Sequence, residues 1–244
     1  MFDYYANPAR FMKLSGTLLP WVSWLAVIVF AVGLYWGLVV APADYQQGET
    51  VRIMFIHVPA AWMATFTYGY IAFASAVSLI FKHPLADVAA KSAAPIGAAF
   101  AFLALMTGMI WGKPMWGAWW VWDARLTSVL VLFLLYLGYM ALWQMIEEPV
   151  QAGRAAAILG LVGAINIPII KFSVDWWNTL HQPASIVKGG GPAIHSSILI
   201  PLLIMIGAYM VLFSALILAA MRAEILRRKV RNMRLAQAEA GSHG

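Results

Sequence analysis

Six long apolar runs constrain this chain more than any other feature of its sequence. A helix needs about 20 residues, at a rise of about 1.5 Å each, to cross the hydrocarbon core of a bilayer. Hydrophobic residues make up 63% of the 244 residues and charged residues only 11%, a balance that a soluble domain would not keep in solution. The sequence predicts an all-α integral membrane protein, with one six-helix domain over residues 1–244. The runs are 17–40, 59–81, 93–110, 126–145, 155–170 and 198–220.

Two of these runs need a further argument. The fifth is short and is interrupted by Asn166 and Pro168, so we expect it to extend through Val174 into the membrane interface. The first exceeds the apolar stretch of a secretory signal, which is about 7 to 15 residues, and no convincing small-residue cleavage site follows it. It is expected to be a retained helix.

The distribution of Lys and Arg predicts the orientation, because short cytoplasmic loops carry the excess of these residues. With both termini cytoplasmic, 11 of the 16 basic side chains lie inside and five lie outside. Most of the difference comes from the basic tail, residues 221–244. The Trp-rich connection, residues 111–125, is then on the outer face. The five outer residues are Arg52, Lys113, Arg125, Lys171 and Lys188.

The basic tail has two interpretations. It is either an anchor on the anionic headgroups of membrane lipids or a docking surface for a cytoplasmic partner. The net charge of +6 mostly reflects this segment, and no aromatic interleaving or fold points to nucleic-acid binding.

The Trp-rich connection holds five of the twelve tryptophans, in the sequence WGKPMWGAWWVWDARLTS. An interfacial aromatic belt is one explanation, because indole rings favour the depth of the headgroups. The other is a stacking platform for a large flat ligand, because the rings are concentrated on one side beside a charged turn. The five are Trp111, Trp116, Trp119, Trp120 and Trp122.

The spacing of these rings also carries a conditional prediction. If residues 116–123 form a helix, Trp116, Trp119, Trp120 and Asp123 share one face of it, and Trp122 points away.

Two histidines flank this connection in the neighbouring outer segments. His57 precedes Pro59 by two residues and is expected in the first turn of the second helix, near the outer rim. His181 follows Trp177 by four residues and would share its side of any short helix. Each alone is typical of a hydrogen-bonded surface residue. Together they offer two neutral imidazoles from separate elements, as six-coordinate haem iron requires. Weaker candidates are His83, His243 and the reserve ligand His195.

Cysteine is absent. This excludes disulfides, thiolate-bound clusters and a C-x-x-C-H attachment site on this chain. Any haem on this chain is therefore expected to be b-type haem, held without thioether bonds and so non-covalent. The expected position of His57 and His181 at a helix end or in a loop favours exchange, and we therefore expect the haem to be transferable.

Arg52 and Arg125 are predicted close to helix N-termini, where the helix dipole disfavours a cation. One explanation is pairing with Glu49 and Asp123, of which Asp123 would also cap a helix. The other is bidentate recognition of ligand carboxylates, such as the two propionates of haem.

The Trp-rich connection resembles the signature of the WWD haem-handling proteins. With three further segments, APADYQQGETVR, HVPAAW and WWNTLHQP, the whole chain is similar to the CcmC family of cytochrome c maturation. The resemblance implies a protein of the bacterial inner membrane that holds haem at its periplasmic face. It implies His57 and His181 as axial iron ligands, with Arg52 and Arg125 near the propionates. The implied haem-contacting signature is Trp111, Trp116, Trp119, Trp120, Trp122 and Asp123.

The resemblance also implies partners: the haem chaperone CcmE, to which haem becomes covalently attached, the ABC transporter subunits CcmA and CcmB, and the small protein CcmD. The chain has neither a G-x-x-x-x-G-K-[ST] phosphate loop nor a spaced nucleophile and base, so its status as an enzyme stays open.

Two rival functions remain. A membrane-bound b-type cytochrome would pass electrons, but its ligands usually lie within the bundle. A transporter moving haem through its own bundle usually has ionisable residues at mid-membrane, and the six apolar runs contain none.

Overall fold

The computed structural model describes residues 7–177, 179–181, 186, 191 and 193–242. Among these residues the only β-type pairing is an isolated bridge between Asp44 and Gly48. Six stretches of the described chain are long and apolar enough to span a membrane, which confirms the predicted class. The helices are α1 Pro8–Tyr35, α2 Met54–Phe81, α3 Pro84–Trp116, α4 Ala124–Met145, α5 Pro149–Gly163, α6 Asn166–Trp176 and α7 Ser196–Ser242.

The six spans are longer than the apolar runs, and polar caps or prolines set the starts of several of them. The Asn7 side chain accepts a hydrogen bond of 2.8 Å from the Ala9 amide, with Pro8 in the first helical position. Pro84 starts α3 in the same way. The second helix begins at Met54, so Pro59 is internal to it and not at its start as the sequence suggested. A 3-10 turn, Glu49–Ile53, leads into this helix, and a π-helical turn, Trp36–Val40, follows α1.

The fifth span consists of two helices, α5 and α6, separated at Ala164 and Ile165. Asn166 is buried at this break, and its side-chain amide donates a hydrogen bond of 2.8 Å to the Ser128 carbonyl of α4. The span continues to Trp176, in agreement with the predicted extension past Val174.

The core is built around α2 and α3, which pack against each other along much of their length, while α1 packs mainly on α7. Small residues of α3 allow close approach of its neighbours, as is common in membrane bundles. At Gly97 an added Cβ would overlap the ring of Tyr136 from α4. The Tyr136 hydroxyl donates a hydrogen bond of 2.7 Å to the Ala64 carbonyl, which joins α4 to α2.

This topology brings three segments to one end of the bundle. They are the start of α2, the connection between α3 and α4, and the described part of the segment between α6 and α7. Hydrogen bonds across this end join the last two segments. We call it the Trp end, and the charge distribution predicts that it faces outward.

Candidate functional site

The connection between α3 and α4 is not helical. α3 continues to Trp116 and ends at Gly117, which has a left-handed φ of 75°. Glycine adopts this conformation without steric cost and so stops the helix. The condition for a shared face of Trp116, Trp119, Trp120 and Asp123 is therefore not met, because residues 117–123 do not continue the helix.

The five tryptophans of this region fall into two groups. Trp111 and Trp116 each lie edge-on to a histidine, with ring centroids 5.6 Å from His57 and 4.9 Å from His181. The other three, Trp119, Trp120 and Trp122, form the rim. Trp122 is 76% exposed, and its ring meets that of Trp120 at 5.5 Å.

His57 is held by α3. Its Nδ1 lies 3.0 Å from the hydroxyl oxygen of Thr107. That hydroxyl donates its one proton to the Leu103 carbonyl at 2.6 Å, so it accepts a proton from His57. The neutral imidazole therefore carries its proton on Nδ1, and the lone pair of Nε2 is left for a ligand. Thr107 was not identified from the sequence, because nothing in the pattern links it to His57.

His181 is held by Asp123 and Thr179. Its Nδ1 lies 2.9 Å from Oδ2 of Asp123, which also accepts a hydrogen bond from the Thr179 hydroxyl. A carboxylate only accepts, so Nδ1 of His181 donates and Nε2 again keeps its lone pair. The other carboxylate oxygen accepts from the Leu126 amide at 2.7 Å, and Asp123 thereby caps α4.

The protonation states of Asp123 and His181 suit metal binding by the histidine. Burial acts to raise the pKa of Asp123, but hydrogen bonds from Thr179, the Leu126 amide and His181 outweigh it and leave the pKa below its ordinary value. Burial lowers the pKa of His181 more than Asp123 raises it, and the nearby Arg125 lowers it further. At neutral pH the pair is therefore a carboxylate and a neutral imidazole.

The other described histidines differ from these two. Nδ1 of His195 accepts a hydrogen bond from the Ser197 amide at 3.3 Å, which leaves the proton of a neutral ring on Nε2. His83 lies at the opposite end of the bundle, at the start of α3. His243 and Lys188 lie outside the described residues. The short helix that would align Trp177 with His181 is not formed, since α6 ends at Trp176.

The two arginines have different surroundings. Nε of Arg52 pairs with Glu49 at 2.5 Å, and one Nη donates to the Gly37 carbonyl at 3.3 Å. Arg125 contacts α6 in place of Asp123, which the sequence suggested as its partner. Its Nε donates to Ser173 at 3.2 Å and Nη2 to the Ile170 and Lys171 carbonyls at 3.3 and 3.4 Å.

The indole nitrogens add a further polar feature. Nε1 of Trp111 donates to the Gln47 side chain at 3.1 Å, which fixes the ring that touches His57. Nε1 of Trp120 is buried without a hydrogen-bond acceptor among the described residues. A buried donor of this kind costs free energy unless an acceptor arrives. Its presence in the rim suits a ligand with acceptor groups.

The sequence is similar to known proteins over almost its whole length. The sequence matches the family described as Heme exporter protein C over residues 1–236. It is 62% identical over 233 residues to Heme exporter protein C of Bradyrhizobium diazoefficiens, covering 96% of this chain and 88% of that protein. It is 47% identical over 222 residues to the Escherichia coli K12 protein of that name, covering 91% and 89%. For the Paracoccus denitrificans protein the identity is 46% over 227 residues, covering 93% and 94%.

Proposed function

The chain belongs to the Heme exporter protein C family, and on that premise we propose that it binds haem at its Trp end and hands it on for the maturation of c-type cytochromes. Haem is cargo in this proposal, held without a covalent bond. The family membership supports haem handling in general, and the arrangement of the chain's own residues supports the particular site.

The observation that carries the proposal is that two histidine rings are held in the same tautomer, with the proton on Nδ1. His57 and His181 come from separate segments, and each has its Nδ1 proton held by an oxygen acceptor. In metal sites such an outer hydrogen bond fixes the ring and makes Nε2 a better ligand. Both rings lie at the Trp end, where each contacts a tryptophan from the end of α3. We assign both as axial ligands of the iron.

The surrounding residues fit the rest of a haem. Bound haem supplies an iron with two axial positions, an aromatic ring and two propionates. Trp111 and Trp116 hold the histidine rings from the side, and Trp119, Trp120 and Trp122 offer apolar surface for the macrocycle. The unpaired Trp120 Nε1 donor is suited to a carboxylate.

We assign Arg52 and Arg125 to the propionates. Arg52 is the simpler case, because the acid it pairs with, Glu49, is mostly exposed and exchanges readily with water or a ligand carboxylate. Arg125 already donates from Nε and Nη2 to α6, so it would use Nη1 or exchange one of these bonds. Its present contacts also fix α6 against the start of α4, beside Asp123.

An exposed rim supports transfer more than electron transport. Trp119 is 54% and Trp122 76% exposed, so a soluble partner can reach the edge of a ring bound against them. We propose that the partner is the haem chaperone CcmE, and that the chain works with CcmA, CcmB and CcmD. A b-type cytochrome would instead keep its haem insulated within the bundle.

We further propose that the Trp end faces the periplasm across the bacterial inner membrane. The support is the excess of Lys and Arg at the other end, above all in the basic tail. A haem site at the outer rim, not at mid-membrane, suits delivery to a chaperone in the periplasm.

The test is absorption spectroscopy of the purified full chain loaded with haem. The wild type is expected to give the bands of six-coordinate, bis-imidazole iron. His57→Ala and His181→Ala should each abolish those bands, because each removes one axial ligand. His195→Ala is the matched control, since its ring has the opposite proton placement, and it should leave the spectrum unchanged.

Two results would contradict the proposal. Bis-imidazole bands that survive both His57→Ala and His181→Ala would remove the ligand assignment. Haem that stays on the wild-type chain when purified CcmE is added, under conditions where free haem transfers, would favour the electron-transfer function.

A further inference from the structure

The last helix extends far beyond the membrane. Its apolar part, residues 198–220, is about 35 Å long at a rise of about 1.5 Å per residue, which already covers a hydrocarbon core of about 30 Å. The helix nevertheless continues without interruption to Ser242. Residues 223–240, which we call the C-terminal rod, project from the end of the bundle opposite the Trp end.

The base of the rod is fixed to two other helices. Glu224 is almost fully buried and pairs with Lys91 of α3 at 2.8 Å. Arg228 pairs with Asp87 of the same helix at 2.9 Å. On the other side Arg222 donates to the Ser15 hydroxyl of α1 at 2.9 Å. The rod is therefore held in a defined direction from its first turn.

One face of the rod carries an apolar seam outside the membrane. Leu226, Val230 and Met233 follow the 4 and 3 spacing of a heptad and are 50%, 42% and 48% exposed. Leu235 is also exposed, but it lies about 180° around the helix from Leu226 at about 100° per residue. The whole seam consists of Ala223, Leu226, Val230, Met233, Gln237 and Ala240.

The seam has basic residues on both sides. Arg227 and Arg234 flank it on one side and Lys229 on the other, by the same helical geometry. Between positions 227 and 240 the rod has five basic side chains and one acidic side chain, Glu239. Arg227 also pairs with Glu224 at 2.6 Å, at the base of the rod.

These features distinguish between possible occupants. A second copy of the rod would place like charges opposite each other along both edges of the seam, which opposes pairing. Anionic lipid would require the rod to bend back onto the headgroups, whereas α7 is one continuous helix to Ser242. A partner helix with acidic flanks satisfies both the exposed apolar stripe and the charge beside it.

We propose that the C-terminal rod docks an amphipathic helix of a partner protein, with an apolar stripe in the seam and Glu or Asp against Arg227, Lys229 and Arg234. The docked helix would lie at the end of the bundle remote from the haem site. Docking of this helix does not depend on haem binding. An experiment can therefore contradict the docking proposal without contradicting the proposed haem site, and the reverse.

The test uses the full chain in phosphatidylcholine nanodiscs and a synthetic four-heptad peptide with Leu at the a and d positions and Glu at e and g. Fluorescence anisotropy should show saturable binding. The double variant Val230→Gln, Met233→Gln should weaken it by about tenfold or more. Leu235→Gln should leave it unchanged, and so should His57→Ala. A peptide with Lys in place of Glu should not bind.

Binding that is absent, or equally strong in the seam variant and in Leu235→Gln, would overturn the proposal. The alternative of a lipid site is tested with a fluorescent label on the same chain. Because the chain has no cysteine, Met233→Cys or Leu235→Cys each accepts a single bimane label. The label at position 233 should shift to the blue only when the acidic peptide is added. A shift in phosphatidylglycerol nanodiscs without peptide would assign the seam to lipid and overturn the proposal.

Discussion

Asp123 and His181 are joined by a hydrogen bond of 2.9 Å although they are 58 positions apart in the chain. The carboxylate that makes this bond also caps α4 through the Leu126 amide. One side chain thus fixes both the start of a helix and the ring of a candidate iron ligand. Substitutions of Asp123 can separate the helix cap from the hydrogen bond to His181, because some side chains keep the first and lose the second.

Asp123→Asn is expected to weaken haem binding by about 10- to 100-fold, as loss of a partner behind a metal-bound histidine typically does. Asparagine remains a good helix cap, so its oxygen can keep the Leu126 amide and its NH2 then faces His181. That NH2 cannot accept the Nδ1 proton, and the histidine tautomer with its proton on Nε2 becomes favoured. Haem titration of the purified chain measures the change in affinity.

The control for this prediction is the stability of the fold, measured by denaturant unfolding of the two Asp123 variants. Asp123→Asn should unfold at nearly the wild-type midpoint, whereas Asp123→Ala should lose about 1 kcal/mol through the missing cap. Wild-type haem affinity in Asp123→Asn would show that the carboxylate does not set the tautomer of His181.

Thr107→Val is expected to lower haem affinity by about tenfold or more. The substitution keeps the shape of the side chain and removes the oxygen that accepts the Nδ1 proton of His57. Thr107→Ser is the matched control, because it retains the hydroxyl and its donation to the Leu103 carbonyl. Equal haem affinity in the Val and Ser variants would exclude this role for Thr107.

The membrane architecture was predictable because hydropathy depends on local composition. Six runs gave six spans, and the interruption at Asn166 and Pro168 lies beside the break between α5 and α6. The bounds were less accurate, since hydropathy ignores caps such as Asn7 and Asp123. The caps are nevertheless visible in the sequence and could be used to extend each run.

The site was predictable only in part. His57 and His181 were named from residue type and position, but the partner of His57 is Thr107, 50 positions away on another helix. Such a contact depends on how α2 and α3 pack, which no local pattern encodes. The shared face of the tryptophans depended on a helix over residues 116–123, and Gly117 ends the helix instead, as a glycine at that position commonly does.

Gly97→Ala is expected to destabilise the fold by about 1–3 kcal/mol, because the new methyl group overlaps the Tyr136 ring where α3 meets α4. Gly207→Ala is the control, since no neighbouring atom lies within 4 Å of an added Cβ there. That substitution should be neutral or stabilise the helix by up to about 1 kcal/mol. Denaturant unfolding in detergent, followed by circular dichroism, compares the two. A destabilised Gly207→Ala with an unaffected Gly97→Ala would contradict the packing of α3 and α4.

Glu224→Gln is expected to lower the free energy of unfolding by about 3 kcal/mol, as removal of one partner from a buried ion pair typically does. The Glu224 side chain is only 5% exposed and faces Lys91 at 2.8 Å and Arg228 at 3.0 Å. Glutamine keeps the size of the side chain but removes the counter-charge of Lys91 and leaves Arg228 paired with Asp87 alone. The comparison is Glu49→Gln, whose ion pair with Arg52 is exposed and should contribute less than about 1 kcal/mol. Both are measured by unfolding in detergent at low and high salt. Equal losses in the two variants would show that the base of the C-terminal rod is not held by its buried charges.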